Sequence, residues 1–587
     1  MNKKREKQFI LSIFLKTAKS SYLYIFLMII SIIFGTIMIT LPSMTLKKII
    51  DGPLATDGQG LWKYAFIYLA IVLLLGLSDL LREYGSMVLG QRTLLNIRKN
   101  MLQRLMQLPM PYYLEVPAGD TISRFTADVD AVNTLFTSGI ISAIADTLKI
   151  IALLIALFSL SSVFGFIALG SLPILYLITN YFRKNIYAKQ LTVRKKVSDI
   201  NTNVKEIYSG IKIIKVFGKE SFFEERFEML LEKHRIAMNA NSIYDAWFPC
   251  IIQTLRAVVI ALAIFIGSSN NTTSIALGFS LGVLAAATDL FIRFFEPIGA
   301  ISAEIQTIQQ AAAGLDRINA FFNQETEKSS KIFISEINKI KDMDIVIDRV
   351  NFAYTNGKNV LSNTSIVIPS GCKAAIAGRT GSGKTTLMNL IAGLYSPDSG
   401  RITIGGVDPY RLPPSERRKL IGVVPQTLMI LNGTVYDNVT LSDQTISRSE
   451  VEKSLHMVGL SEVIGKLQNG MDTFIGEGGH KLSFGQTQLL SLARAIVKDP
   501  PILLLDELTS GLDAITERLV LDAIRCVSKE KTIVTISHRI SGIIDADTVH
   551  IMERGCIVES GSPHELVEKE GWYSRYKKLE DLNWRMS

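Results

Sequence analysis

The sequence predicts two unlike halves: an all-α domain of six transmembrane helices, then an α/β domain built around a phosphate-binding loop. Three observations carry that prediction. Apolar residues make up 48% of the 587, and before about residue 300 they run in stretches of the ~20 residues that a membrane helix needs. The stretch Gly378-Arg379-Thr380-Gly381-Ser382-Gly383-Lys384-Thr385 fits the phosphate-loop pattern G-x-x-x-x-G-K-[ST] at every fixed position. Before it lies an apolar run (Ala374-Ala375-Ile376-Ala377) and after it a helical pattern (Leu387-Met388-Asn389-Leu390-Ile391), the strand–loop–helix context such a loop requires. Third, Ile502-Leu503-Leu504-Leu505-Asp506-Glu507 reads as a buried parallel strand ending in two carboxylates.

In chain order, residues 1–321 form the membrane domain, 322–343 a polar linker (Gln324-Glu325-Thr326-Glu327-Lys328), and 344–587 the α/β domain. The spans cover about Tyr22 to Met44, Tyr64 to Leu81, Ile140 to Leu160, Val163 to Phe182, Phe248 to Gly267 and Ser274 to Phe295. The first is span-length and lacks a small-residue cleavage site, so it reads as a helix and not as a removed signal. The turns Ser161-Ser162 and Ser268 to Thr273 carry no charge, whereas the long connections 83–139 and 183–247 are rich in Lys and Arg. By the positive-inside rule, the N-terminus, both long connections and the α/β domain face the cytoplasm. Leu102, Leu105, Met106 and Leu108, and later Ile207, Ile211 and Ile214, recur at roughly helical spacing, so the membrane helices extend beyond the bilayer. Cys250, Cys372, Cys526 and Cys556 lie far apart and form no C-x-x-C pair, which indicates neither zinc nor a disulfide framework. The net charge of +9 belongs largely to loops flanking the spans, so no nucleic-acid partner is inferred from it.

The chemistry of the second half follows from residue types. The loop's glycines let backbone N–H groups turn onto phosphate oxygens. Lys384 adds a point charge for the β- and γ-phosphates, and Thr385 a hydroxyl for Mg²⁺, with Thr386 next in the helix. A doubly wound sheet presents its chemistry at the carboxyl ends of its strands, so Asp506 and Glu507 reach that loop. Asp506 suits the Mg²⁺ shell and Glu507 suits activation of the attacking water. The predicted ligands are thus ATP and Mg²⁺.

Further residues carry a resemblance. Leu482-Ser483-Phe484-Gly485-Gln486, then Ala493-Arg494-Ala495, stand just before the Asp506-Glu507 strand and resemble the signature of the ATP-binding cassette (ABC) family. Other family elements fall in order: Tyr354 matches the aromatic that stacks on adenine, Gln426 the glutamine that senses Mg²⁺, Ser510-Gly511-Leu512-Asp513 the loop crossing the dimer interface, and His538 the switch histidine near the γ-phosphate. Tyr112 to Asp120 and Gly210 to Glu220 resemble the two coupling regions of the exporter type. The resemblance implies a half-transporter of the plasma membrane, working as a dimer. Each ATP would lie between the phosphate loop of one chain and Ser483, Phe484, Gly485 and Gln486 of the other, with Asp513 at the interface. It implies ATP-driven export of an amphipathic or hydrophobic solute of the drug, lipid or peptide class; a lipid flippase with the same engine, or an importer on the same fold, are the alternatives.

The chain departs from that pattern where the signature's usual glycine is Phe484 and the usual arginine is Thr487. An altered signature beside intact Lys384, Asp506, Glu507 and His538 favours a heterodimer, with a second half-transporter as partner, over a homodimer. Charges inside spans are costly and face a cavity or each other. Asp146 and Lys149, and Asp289 and Arg293, are spaced for neutralisation within one helix. The sharper reading has Lys149, Arg256, Asp289 and Arg293 lining a substrate cavity. With no peptidase domain before the first span, a leader-cleaving peptide exporter is disfavoured, and Asn271-Thr272-Thr273 is a glycosylation sequon only in a secretory pathway.

Overall fold

Long helices come first because nothing in the first half interrupts them except proline and a few glycines. The computed structural model describes residues 8–55, 60–268, 280–327, 343–354, 357–508, 512–537 and 546–578. Helices α1 (Gln8–Ser20), α2 (Tyr22–Met38), α3 (Leu41–Asp51) and α4 (Leu61–Leu105) are followed by the short α5 (Met110–Glu115). Then come α6 (Ile140–Leu160), α7 (Ser162–Phe217), α8 (Glu220–Ser268) and α9 (Leu281–Phe322). Helix α7 is 56 residues long, roughly 84 Å at 1.5 Å per residue and well over twice a bilayer core. Leu102 and Leu105, and Ile207, Ile211 and Ile214, lie in uninterrupted helices, whereas Met106 and Leu108 fall past the end of α4 in the turn before α5. Pro173, Pro249 and Pro297 sit inside helices, as membrane helices tolerate.

Five helices among the described residues are long and apolar enough to cross a membrane. The sixth span is α9, whose apolar stretch carries Asp289, Arg293 and Glu296, and whose expected beginning (274–279) lies outside the described residues. The surface is inverted relative to a water-soluble bundle. Phe26, Ile33, Leu73 and Phe265 are exposed, while Leu153, Leu157, Phe164, Phe291 and Phe294 are buried between α6, α7 and α9. Gly90 allows one close approach: a Cβ there would stand 2.3 Å from Cγ2 of Thr137.

The described chain forms two units, Met1–Met106 with Ala118–Gln324, and Gln107–Pro117 with Glu325–Ser587. In the second, β1 (Ile345–Ala353), β2 (Asn359–Ile368) and β4 (Ser399–Ile404) make an antiparallel sheet in the order β2-β1-β4. A six-stranded sheet contains β3 (Lys373–Ala377), β5 (Ile421–Val424), β6 (Ile502–Asp506), β7 (Thr532–Ile536), β8 (Thr548–Glu553) and β9 (Cys556–Gly561), ordered β9-β8-β3-β7-β6-β5. All its pairings are parallel except β8 with β9. Helix α10 (Lys384–Ile391) and the antiparallel sheet cover one face through Leu387, Ile391, Ile345, Leu504 and Val534. Helices α11 (Phe484–Ile496) and α12 (Ala514–Val527) cover the other through Leu490, Ala493, Leu503, Leu505 and Val520. Each of these Leu, Ile and Val side chains contributes about 1.5–3 kcal/mol on burial, and burial on both faces explains why β6 is continuously apolar.

Candidate nucleotide site

Strand β3 is buried and delivers the chain into the phosphate loop at Gly378. Gly378 has φ +152°, and a Cβ there would lie 2.2 Å from the Met552 carbonyl; Gly383, at φ +103°, opens α10. A side chain at Gly378 would push the loop off β8, and one at Gly383 would press on Leu361 and Val360 of β2. Lys384 is buried, and its ammonium donates to the carbonyls of Gly378 (2.9 Å) and Arg379 (3.0 Å). Burial lowers its pKa, while Glu507 and Asp506 act in the opposite direction. Both acids therefore face the loop, as the strand-end argument predicts. Ser382 Oγ is buried and has no hydrogen-bond partner, an orphan donor inside the cradle that a phosphate oxygen would satisfy. Arg379, Thr380, Gly381 and Thr385 are exposed on the loop's open side.

Asp506 ends β6 and is 6% exposed. Glu507 follows at φ +51°, a left-handed conformation rare outside glycine, and its N–H donates to the Ile536 carbonyl at 3.1 Å. That twist turns its carboxylate to Gln426, two residues past β5, whose Nε2 donates to Oε2 at 2.7 Å. The hydroxyl of Tyr354 lies 3.1 Å from that of Thr386, which ties the end of β1 to the phosphate-loop helix. A cavity of about 700 Å³ opens beside Tyr354, with Tyr395 and Leu114 in its wall.

The signature forms the start of α11. Ser483 is its N-cap: its Oγ accepts from the Gln486 N–H (3.2 Å), while Gln486 Oε1 accepts from the Ser483 N–H (2.9 Å), a reciprocal capping box. Phe484 is 56% exposed. Gly485 is buried, and a Cβ there would stand 2.1 Å from Thr516 Cγ2, so only glycine lets α11 meet α12. Asp513 caps α12 and accepts from the Thr516 hydroxyl (2.6 Å) and N–H (3.1 Å), which hold its carboxyl below its ordinary range. Among the described residues no hydrogen bond or ion pair joins the signature to the phosphate loop of the same chain. His538, Ser510 and Gly511 lie outside the described residues.

Sequence reasoning gives no role to Arg494, yet its guanidinium donates to Asn438 O (2.8 Å), Asn438 Oδ1 (3.1 Å) and Met429 O (3.0 Å). It clamps the segment after Gln426 to the signature helix. Tyr395 packs edge-on to Tyr354 and Phe352, each with ring centroids 5.6 Å apart. In the membrane unit, Lys149 pairs with Asp146 at 3.4 Å, and Arg293 pairs with Asp289 at 2.9 Å. Asp289 also accepts from Ser43 at 2.6 Å. Arg256 is half-buried and has no ion-pair partner among the described residues.

Membrane helices ahead of a phosphate-loop domain with a capped signature helix define a nucleotide-driven membrane transporter. Comparison with known proteins agrees. The family model described as ABC transporter transmembrane region matches residues 25–297, and that described as ABC transporter matches residues 361–510. A probable multidrug resistance ABC transporter ATP-binding/permease protein of Bacillus subtilis is 30% identical over 508 residues, covering 85% of this chain and 74% of the relative. An ATP-dependent lipid A-core flippase of Vibrio vulnificus is 26% identical over 556 residues, covering 94% of each chain. The structure of a bacterial Atm1-family ABC exporter with ATP bound superposes with a TM-score of 0.79 at 23% identity, covering 95% of this chain and 98% of that one. The chain belongs to the ABC transporter family. It binds and hydrolyses ATP to drive transport, has the exporter fold, and works as a dimer, as ABC exporters do.

Proposed function

We propose that this chain is one half of a plasma-membrane exporter for an amphipathic or hydrophobic solute, with its N-terminus and nucleotide-binding domain in the cytoplasm. The observation that carries the catalytic reading is the 2.7 Å bond from Gln426 to Glu507, beside Asp506 and a phosphate loop whose lysine feels both acids. Glu507 takes a proton from water as the water oxygen bonds the γ-phosphorus; the bond from that phosphorus to the bridging oxygen breaks, and ADP and phosphate leave. Gln426 fixes the carboxylate's direction. Lys384 and the loop N–H groups neutralise charge on the phosphates, and Tyr354 stacks on adenine.

Among the described residues no three His, Cys, Asp or Glu side chains are grouped to hold a metal. Mg²⁺ takes oxygen ligands and is commonly bound by one or two carboxylates together with substrate phosphates. The oxygens of Thr385, Gln426 and Asp506 fit such a partial shell. When bound, Mg²⁺ supplies charge neutralisation across the β- and γ-phosphates. Ser483 and Gly485 would complete the site on a second chain, with Asp513 at that boundary and His538 near the γ-phosphate.

Phe484 places a bulky exposed ring where a phosphate approaches the helix N-terminus, so a heterodimer is favoured: Glu507 works in the site completed by the partner's signature, and Phe484 covers the weaker site. The relatives named as flippases support a lipid as cargo on the same engine. The test is ATP turnover by this chain alone in lipid nanodiscs beside Glu507→Gln. No turnover by folded chain supports a missing partner, and turnover abolished by the substitution assigns Glu507 and overturns the heterodimer.

A further inference from the structure

Two of the peptide links between the units, at 106–107 and at 324–325, are tied to each other on both sides. In the membrane unit, Arg104 donates to the Gln324 carbonyl at 2.5 Å. In the nucleotide-binding unit, the Glu327 N–H donates to the Gln107 carbonyl at 2.9 Å. Glu327 also fastens that pair to the rest of its unit, since its carboxylate accepts from Arg417 at 3.0 Å. The same Arg417 nitrogen donates to the Leu412 carbonyl at 3.2 Å. The Arg417 side chain is 13% exposed and that of Glu327 25%, and Arg417 Nε is buried without a hydrogen-bond partner. A guanidinium stripped of this much water is costly without its counter-charge, which holds Glu327 in place.

Arg417 stands on a short helix, Pro414–Leu420, that passes directly into β5. Leu420 and Ile421 are buried in the core shared with α10, and β5 pairs with β6 as far as Val424 and Leu505. Gln426 lies two residues past the first of these and Glu507 two past the second. Arg417 and Gln426 are therefore the two ends of one packed piece. Helix α5 is held differently. Of its large side chains Tyr112 is buried, while Met110, Tyr113 and Leu114 are exposed, and Pro111 and Leu114 border the cavity beside Tyr354. With so little packing beneath it, α5 takes its position from the tie between Gln107 and Glu327. We propose that Glu327 and Arg417 are positioning residues for ATP hydrolysis: they fix α5 to the piece that carries Gln426, so that the seating of α5 and the Gln426–Glu507 bond are coupled. The role rests on the reading of Glu507 as the base that Gln426 orients.

The test is amide hydrogen exchange of the full chain in lipid nanodiscs, with and without Mg²⁺-ATP. It is read at the Tyr112 N–H, which donates to the Pro109 carbonyl, and the Val116 N–H, which donates to the Tyr112 carbonyl. Nucleotide that engages Gln426 steadies the whole piece, so ATP should slow this exchange in the wild type about fivefold or more. Glu327→Gln keeps the side-chain size and the backbone bond to Gln107. It and Arg417→Met should each speed the exchange about tenfold or more and remove the response to ATP. ATP affinity, read by fluorescent-nucleotide titration, should stay unchanged. Pairing Glu327→Arg with Arg417→Glu should restore both the slow exchange and the response. A tie that is only structural would speed exchange and leave the ATP response in place. That result, or equal α5 exchange in wild type and Glu327→Gln, overturns the role. ATP turnover on the same samples separates the two readings. Turnover abolished by Glu507→Gln beside an α5 that ignores ATP sinks the positioning role alone. An ATP response lost in Glu327→Gln, beside turnover that survives Glu507→Gln, keeps the coupling and sinks Glu507 as the base.

Discussion

Arg494 offers the sharpest test of how the nucleotide-binding domain is held together. Replacing it with Met keeps most of the apolar stem and deletes three charge-assisted donors. Met429 is exposed, so its freed carbonyl finds water. Asn438 is fully buried and accepts the other two bonds; at about 1.5–3 kcal/mol per bond to a charged group, their loss costs about 3–6 kcal/mol. Burial and the nearby Arg418 both disfavour the Arg494 cation, and removing it relieves that penalty, so the net cost falls near the lower figure. For a domain of this size about 3 kcal/mol lowers the apparent unfolding temperature by about 6–12 °C. Thermal unfolding of the full chain in nanodiscs, at one fixed scan rate because such unfolding is irreversible, reads this directly. Arg494→Lys should fall between, since one ammonium cannot span three acceptors. A Met variant that unfolds within about 1 °C of wild type would refute the reasoning, because the clamp would then be worth no more than solvent contacts.

Other consequences follow from the same geometry. Lys384→Ala removes the only side-chain cation described inside the phosphate cradle and should reduce ATP binding about tenfold or more, read by fluorescent-nucleotide titration. Phe484→Gly should raise ATP turnover of the chain alone if the ring blocks the second site; unchanged turnover means that the ring does not obstruct it. Gly485→Ala forces a methyl against Thr516 and should destabilise the α11–α12 contact by about 1–3 kcal/mol, visible as a lower unfolding temperature. Burial pushes the His550 imidazole below its ordinary value of 6.5, with Nδ1 engaged by Ser560 at 2.8 Å. The unfolded chain then binds the proton more readily, so stability is full above pH 6.5 and declines as pH falls below it. His550→Gln should flatten that slope in unfolding curves between pH 5 and 7.5.

Much of this was legible in one dimension. Span-length apolar runs need no partner to be recognised, because bilayer thickness sets their length. The phosphate loop and the Asp506-Glu507 strand end were legible because nucleotide chemistry demands fixed residue types at fixed spacing. The pairs Asp146–Lys149 and Asp289–Arg293 were legible because helix geometry alone brings i+3 and i+4 side chains together. Arg494 was not: its acceptors lie 56 and 65 residues away in sequence, and nothing local marks an arginine as a clamp. The sequence by itself determined the kinds of element, their order and the chemical groups of the nucleotide site, since each follows from local periodicity or a short motif. Only the tertiary structure decided which groups meet: that Gln426 turns to Glu507, that Tyr354 reaches Thr386, and that Arg494 spans Asn438 and Met429. Those are contacts between distant segments, fixed by packing, and no local spacing encodes them.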